Sequence, residues 1–124
     1  MYRLYVLDKV RKSQEAVEQG GTPTRYWFMV IWTKPARADL KHIHDFIAED
    51  SKHYAKKVAQ EIREKTDILN RLPNIGKAVP EVNKPEIQEL RIYSYRIMYE
   101  MKDKHCYVLA VIHKRQDFSA DDLP

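Results

Sequence analysis

The sequence predicts an α+β fold in two layers, in which an antiparallel sheet of about four strands is packed by an α-helical hairpin. Two segments with helical apolar periodicity between residues 36 and 72 predict the hairpin. Three strand-like segments between residues 87 and 113 predict most of the sheet. The chain has 124 residues, enough for one domain with a modest core, and a further helix is predicted at its N-terminus.

The first predicted element is an amphipathic helix over residues 3–19. Leu4, Leu7, Val10 and Val17 recur at helical spacing and form its apolar stripe, with Gln14 filling one position. Two glycines and a proline within residues 20–23 predict that the helix ends there and that a short connector follows. We therefore divide the chain into a helix with its linker, residues 1–25, and a globular domain, residues 26–124.

The globular domain begins with a predicted strand over residues 26–32, a segment rich in aromatic and β-branched side chains. Thr33 is the predicted N-cap of a helix that ends near Asp50. A second helix is predicted over residues 51–72. Because the join between these helices is short, we expect them to pack antiparallel as a hairpin.

The remaining strands follow an irregular loop over residues 73–85, and we predict them at residues 87–93, 95–101 and 106–113. The polar segment 102–104 is short enough to form the turn of a β-hairpin. The last strand is apolar on both faces, so we expect it to be a central strand beneath the helices.

The composition limits the classes of partner and chemistry. A net charge of +4 allows an acidic protein or a nucleic acid as partner but does not require one. Cys106 is the single cysteine and lies in an apolar run, which predicts a buried thiol and no intrachain disulfide, as in a reducing cytoplasm. No apolar run reaches the ~18 residues of a transmembrane helix, so we expect no membrane contact.

No metal site or cofactor is expected. His42 and His44 are two residues apart on a predicted helix and therefore point to different sides, which makes them a poor metal pair. Only three glycines occur, so the chain has no glycine-rich phosphate loop.

The exposed side of the second hairpin helix is densely charged. Its basic residues are Lys56, Lys57, Arg63, Lys65 and Arg71, and they alternate with Glu61, Glu64 and Asp67. This alternation is typical of a solvated, salt-bridged helix face rather than a nucleic-acid surface.

Four segments in a fixed order carry a family resemblance that covers about three-quarters of the chain. They are WTKPARADLKHIHDFIAED, LPNIGKAVPE, ELRIYSYRIMYEM and VLAVIHKR. Together they resemble the RelE/ParE superfamily of toxins from bacterial type II toxin–antitoxin modules. The resemblance implies a small toxin that blocks growth and a cognate antitoxin protein that holds it inactive. The long hairpin and the final His113-x-Arg115 pattern favour the ParE-like branch over the RelE-like branch.

The two branches imply different targets. ParE-like toxins poison DNA gyrase and have no known hydrolytic chemistry, whereas RelE-like and YoeB-like toxins cut mRNA on the ribosome. The ParE-like reading is preferred, and it makes the chain a binding protein rather than an enzyme. On that reading the residues expected to contact the target are Arg91, Arg96, His113 and Arg115.

The nuclease alternative needs a base, a phosphate-binding cation and an acid. The resemblance to the YoeB-like segment suggests Glu86 as base and Arg96 as the cation, and His113 is the candidate acid because histidine titrates near neutrality. Ordinary structural roles compete with each assignment. Glu86 can be a surface carboxylate, Arg96 can pair with Glu89 or Glu100, and His113 can simply end a strand.

The N-terminal segment LYVLDKVRKSQEAVEQGG resembles the C-terminal, toxin-wrapping helix of Phd/YefM-type antitoxins. This resemblance implies an inhibitory helix that is tethered to the toxin domain through residues 20–25. We expect its apolar stripe to dock on the toxin domain, either in the same chain or in a swapped homodimer. The alternatives are an ordinary extension of the fold, and a silenced toxin that acts only as an interaction protein.

Overall fold

A computed structural model of the chain describes residues 2–19 and 28–113, which contain three α-helices and five β-strands. The helices are α1 (Tyr2–Gln19), α2 (Lys34–Ala48) and α3 (Lys52–Asp67), and a 3-10 turn over Ile68–Asn70 extends α3. The strands are β1 (Val30–Trp32), β2 (Lys77–Ala78), β3 (Ile87–Ile92), β4 (Tyr95–Lys102) and β5 (His105–His113).

The strands form one mixed sheet in the order β1-β5-β4-β3-β2. β5 is central as predicted, with β1 parallel on one side and β4 antiparallel on the other. The predicted α+β class is therefore confirmed, with two differences of detail. The sheet has five strands because the two-residue β2, in the loop before β3, is too short to leave a periodic signal. It is mixed because β1 and β5 are parallel neighbours. The chain between them includes both hairpin helices and three strands, and such a long connection allows two strands to pair in the same direction.

Both helices of the predicted hairpin begin at a side-chain cap. The hydroxyl of Thr33 accepts a hydrogen bond from the amide of Ala36 at 3.3 Å, and it donates to the carbonyl of Val108 on β5 at 2.8 Å. Ser51 caps α3 by accepting from the amide of Tyr54 at 3.1 Å. Thr33 thus starts α2 and fixes it to the central strand at the same time.

Two hydrophobic clusters lie on opposite faces of the sheet. The cluster under the hairpin includes Leu40, Ile43, Val58, Ile62, Ile97 and Val108. The cluster under α1 includes Val6, Val10, Val17, Met98, Leu109 and Ile112. α1 therefore adds a third layer, and β5 is buried from both sides. Burial raises the pKa of the Cys106 thiol to about 12, so this cysteine has the character of a core side chain.

The apolar stripe of α1 is rotated from the predicted one. Its buried residues are Val6, Val10, Ser13 and Val17, whereas Leu4 is 68% exposed and Leu7 is only half-buried. The prediction of Leu4 as an inward residue is wrong, because a residue two positions before Val6 points to the opposite side of a helix. Ser13 takes an inward position since its hydroxyl donates to the carbonyl of Leu109 at 2.6 Å.

The loop before β3 is fixed at Gly76. The amide of Gly76 donates to the buried hydroxyl of Tyr99 at 3.0 Å, and that hydroxyl lies 2.7 Å from the side-chain oxygen of Gln88. A Cβ atom at this position would lie 2.8 Å from the carbonyl oxygen of Glu89 and closer still to Tyr99. Glycine is required here for close approach, and the loop is thereby held against the sheet.

Candidate functional site

Arg96 is buried in β4 on the sheet face that α1 covers, with only 4% of its surface exposed. Its Nε donates to Glu89 at 2.6 Å, and its two terminal nitrogens donate to the two carboxylate oxygens of Glu81 at 2.7 and 2.9 Å. The Tyr2 hydroxyl of α1 accepts a further hydrogen bond, and the Tyr2 ring centroid is 5.5 Å from the guanidinium carbon. The guanidinium is therefore enclosed by partners from the sheet, a loop and α1.

The charges of this Arg96 cluster balance each other. Arg91 lies directly opposite Arg96 on β3 and donates to the second oxygen of Glu89 at 3.1 Å. Two guanidinium groups thus share two carboxylates. Burial acts to lower the pKa of Arg96, but its hydrogen bonds to Glu81, Tyr2 and Glu89 outweigh burial and raise that pKa. The Arg96 hydrogen bonds hold the pKa of Glu81 below its usual value.

The lowered pKa of Glu81 predicts a loss of stability in acid. A carboxyl whose pKa is depressed on folding contributes stability above its unfolded pKa, 4.5 in the reference state, and loses it as pH falls through the folded pKa. We expect the free energy of unfolding of the wild-type protein to fall with pH below that value, and to fall less steeply in Glu81→Gln. Urea unfolding at a series of pH values measures both slopes, and equal slopes would contradict the assignment to Glu81.

His113 lies on the opposite face of the sheet from Arg96. It ends β5 beside Tyr95, with ring centroids 5.1 Å apart and ring planes at 76°. Both residues line a cavity of about 820 Å³ next to α2, together with Phe46, which is 73% exposed. Because side chains alternate along a strand, Tyr95 and its neighbour Arg96 must point to opposite faces.

Glu86 lies at the far end of the sheet from Arg96. Its side chain is exposed, and its carbonyl accepts from the amide of Met101 at 3.0 Å. Arg96 is five residues from Met101 along β4, which corresponds to about 17 Å at strand rise. Glu86, Arg96 and His113 are therefore not brought together in one site.

The predicted target-contacting set is also divided. Arg91 and Arg96 lie on the α1 face, with Arg91 60% exposed and Arg96 buried, while His113 lies on the hairpin face. Strand alternation therefore places these target-contact candidates on two different faces of the sheet. Arg115 lies outside the described residues. Of the two carboxylates considered for Arg96, the structure pairs it with Glu89, while Glu100 bonds to Gln14 of α1.

Several residues of the Arg96 cluster carry no sequence signal. Glu81 lies in an irregular proline-containing loop, fifteen positions before Arg96, and only folding brings the two together. Tyr2 is 94 positions away. The pairing of Glu89 with Arg96 could be anticipated from the sequence. The two residues lie on adjacent predicted strands, and Glu89 is two residues from Arg91, which faces Arg96 directly, so both side chains are on the same face of the sheet.

Polar contacts hold α1 across the sheet in addition to its apolar stripe. Tyr2 bonds to Arg96, Ser13 to the carbonyl of Leu109, and Gln14 to Glu100. An ion pair also joins Lys9 of α1 to Asp39 of α2, and Asp39 accepts from the amide of Val111 at 3.0 Å. Over the ranges that the structure describes, β1 pairs only with residues 106–108 of β5, so the rest of β5 has no strand neighbour on that side. Because α1 and α2 lie on opposite faces of the sheet, the Lys9–Asp39 pair passes this unpaired part of β5 and links the two outer layers.

Neither a metal site nor a membrane span is found among residues 2–19 and 28–113. That part of the chain contains no group of three or more His, Cys, Asp or Glu side chains arranged to hold a metal ion. None of its helices combines the length and the apolar character needed to cross a bilayer.

Comparison with known proteins gives one family and a set of similar folds. The family described as ParE toxin of type II toxin-antitoxin system, parDE, matches residues 30–118. Nine chains of solved structures match, and one comes from a structure described as the chromosomal ParDE TA system from P. aeruginosa. It is 24% identical, with a TM-score of 0.60 over 72% of this chain and 98% of that one. No curated protein matches. The family match begins at β1, so α1 lies outside it.

Proposed function

The chain belongs to the ParE toxin family of type II toxin–antitoxin systems, and from that premise we propose that it inhibits bacterial growth by binding DNA gyrase rather than by hydrolysis. As the toxin of such a module it has an antitoxin as its partner. The gyrase target comes from the resemblance of the chain to the ParE-like branch. The arrangement of its candidate residues supports binding as the mode of action.

The separation of Glu86, Arg96 and His113 carries the preference for binding over RNA cleavage. General acid–base cleavage requires the base, the acid and the phosphate-binding cation to reach one reacting group. Here Arg96 is buried and committed to two carboxylates, Glu86 is about 17 Å away by strand rise, and His113 is on the other face. The same arrangement leaves Arg91 exposed on the sheet, where it can contact a protein target.

Two assays separate the gyrase reading from the ribosome reading. Purified protein is expected to inhibit DNA supercoiling by gyrase, more strongly when α1 is released, and to leave translated mRNA uncut in primer extension. Arg91→Met is expected to weaken the inhibition several-fold, as is common when an exposed interface arginine is lost. Cuts in the ribosomal A site without any effect on supercoiling would establish the mRNA endonuclease alternative instead.

We further propose that α1 covers the ParE-like domain within the same chain, which favours the self-inhibited form of this toxin. The helix buries the apolar sheet face and makes polar contacts to Arg96, Glu100, Leu109 and Asp39. A short tether typically raises the effective concentration of a linked segment to the millimolar range. The residues that hold it are Val6, Val10 and Val17 of the apolar stripe. This assignment keeps residues 1–25 as an inhibitory unit separate from the toxin domain, residues 26–124.

A further inference from the structure

A basic groove lies on the solvent-exposed surface of the helical hairpin, between α2 and α3. It has a volume of about 550 Å³. Its lining residues are Arg37, Leu40, Lys41 and His44 from α2, and Lys56, Ala59, Gln60 and Arg63 from α3. Each set follows the spacing i, i+3, i+4, i+7, so one face of each helix forms one wall. Basic and acidic residues alternate along the sequence of α3, but none of the lining residues is an aspartate or a glutamate. Folding therefore gathers basic side chains in the groove and leaves the carboxylates outside it.

The charge of this basic groove is only partly compensated. Lys41 pairs with Asp45 at 2.7 Å, and both side chains are more than half exposed. Arg37 donates to the carbonyl of Trp32 at 3.2 Å, which leaves its charge intact. Within the described part of the chain, Lys56 and Arg63 form no salt bridge. Three permanent cations therefore remain available to an anionic partner.

The floor of the basic groove indicates the kind of partner. Leu40 and Ala59 form an apolar base, and the small side chain of Ala59 allows close approach of another backbone. The ridge of a third helix fits a groove between two helices, and it can place an apolar side chain on the floor while its carboxylates meet both walls. A nucleic acid fits less well, since the lining offers no Phe, Tyr or Trp as a stacking platform for successive bases.

We propose that the basic groove binds an acidic amphipathic helix of a partner protein. The groove is on the outer side of the hairpin, whereas α1 covers the opposite face of the sheet. The site is therefore open while α1 is packed. Binding there does not depend on whether gyrase is the target of the toxin.

The test uses the full chain and a fluorescein-labelled helical peptide of about 15 residues, or roughly four turns. The peptide carries leucines at i, i+3, i+4 and i+7 on one face, with glutamates on both sides of that stripe. We expect saturable binding by fluorescence anisotropy that weakens as salt is added. Lys56→Glu with Arg63→Glu is expected to raise the Kd by at least about tenfold, because two wall cations become repulsive.

The matched control is Lys57→Glu with Lys65→Glu, which makes the same change in net charge at exposed positions of α3 outside the groove. Its Kd is expected to rise less than about threefold, through long-range electrostatics alone. Thermal unfolding of both double variants verifies that the fold is retained. The proposal is overturned by equal weakening in the two double variants, by no binding to the wild-type chain, or by tighter groove-dependent binding of a DNA duplex than of the peptide.

Discussion

Replacing Arg96 with methionine is expected to lower the free energy of unfolding by about 3–5 kcal/mol, the range seen when one partner of a buried ion pair is removed. Arg96 is 4% exposed and bonds to Glu81, Glu89 and Tyr2. Methionine fills similar space but leaves both carboxylates without their shared cation. Urea denaturation followed by circular dichroism measures the change.

Arg91→Met is the matched control for Arg96→Met. It removes the same group from the opposite residue of the ladder and also breaks a bond to Glu89, but its side chain is 60% exposed. We expect a loss below about 1 kcal/mol, as for other exposed pairs. Adding Glu81→Gln and Glu89→Gln to Arg96→Met should restore part of the lost stability. Equal losses in Arg96→Met and Arg91→Met would show that burial of the cluster does not increase its contribution to the free energy of unfolding.

Substituting aspartate for Val10 is expected to release α1 and increase the growth inhibition caused by the full chain. Val10 is 2% exposed and packs against the sheet. A buried, unpaired carboxylate costs at least about 3 kcal/mol, which shifts the docked-to-released ratio roughly a hundredfold. Growth curves at graded expression levels measure toxicity, and amide hydrogen exchange over residues 2–18 reports release of the helix.

Leu4→Asp is the control for Val10→Asp, since it places the same charge on the same helix at a position that is 68% exposed. It should leave both exchange and growth unchanged. A peptide of residues 1–19 added in trans should reverse the effect of Val10→Asp in the gyrase assay. If hydrogen exchange shows α1 released while growth and supercoiling remain as in the wild type, α1 does not act as an inhibitor.

The sequence was sufficient for the three helices, four of the five strands and the class of the fold. Helical periodicity, the cap at Thr33, and the short polar turn before β5 are local features, so the hairpin and the last three strands were predictable. The ParE-like resemblance also rests on segments read in order along the chain, and the family match over residues 30–118 agrees with it.

The location of each candidate residue was decided only by the tertiary structure. Strand register placed Arg96 and His113 on opposite faces, and a loop contact gave Arg96 its second carboxylate from Glu81. The inward stripe of α1 was set by the sheet it covers, which selected Val6 and Ser13 over Leu4. Periodicity fixes which residues share a side of one element. It contains no information about which other element that side meets, because burial and pairing arise from contacts between distant segments.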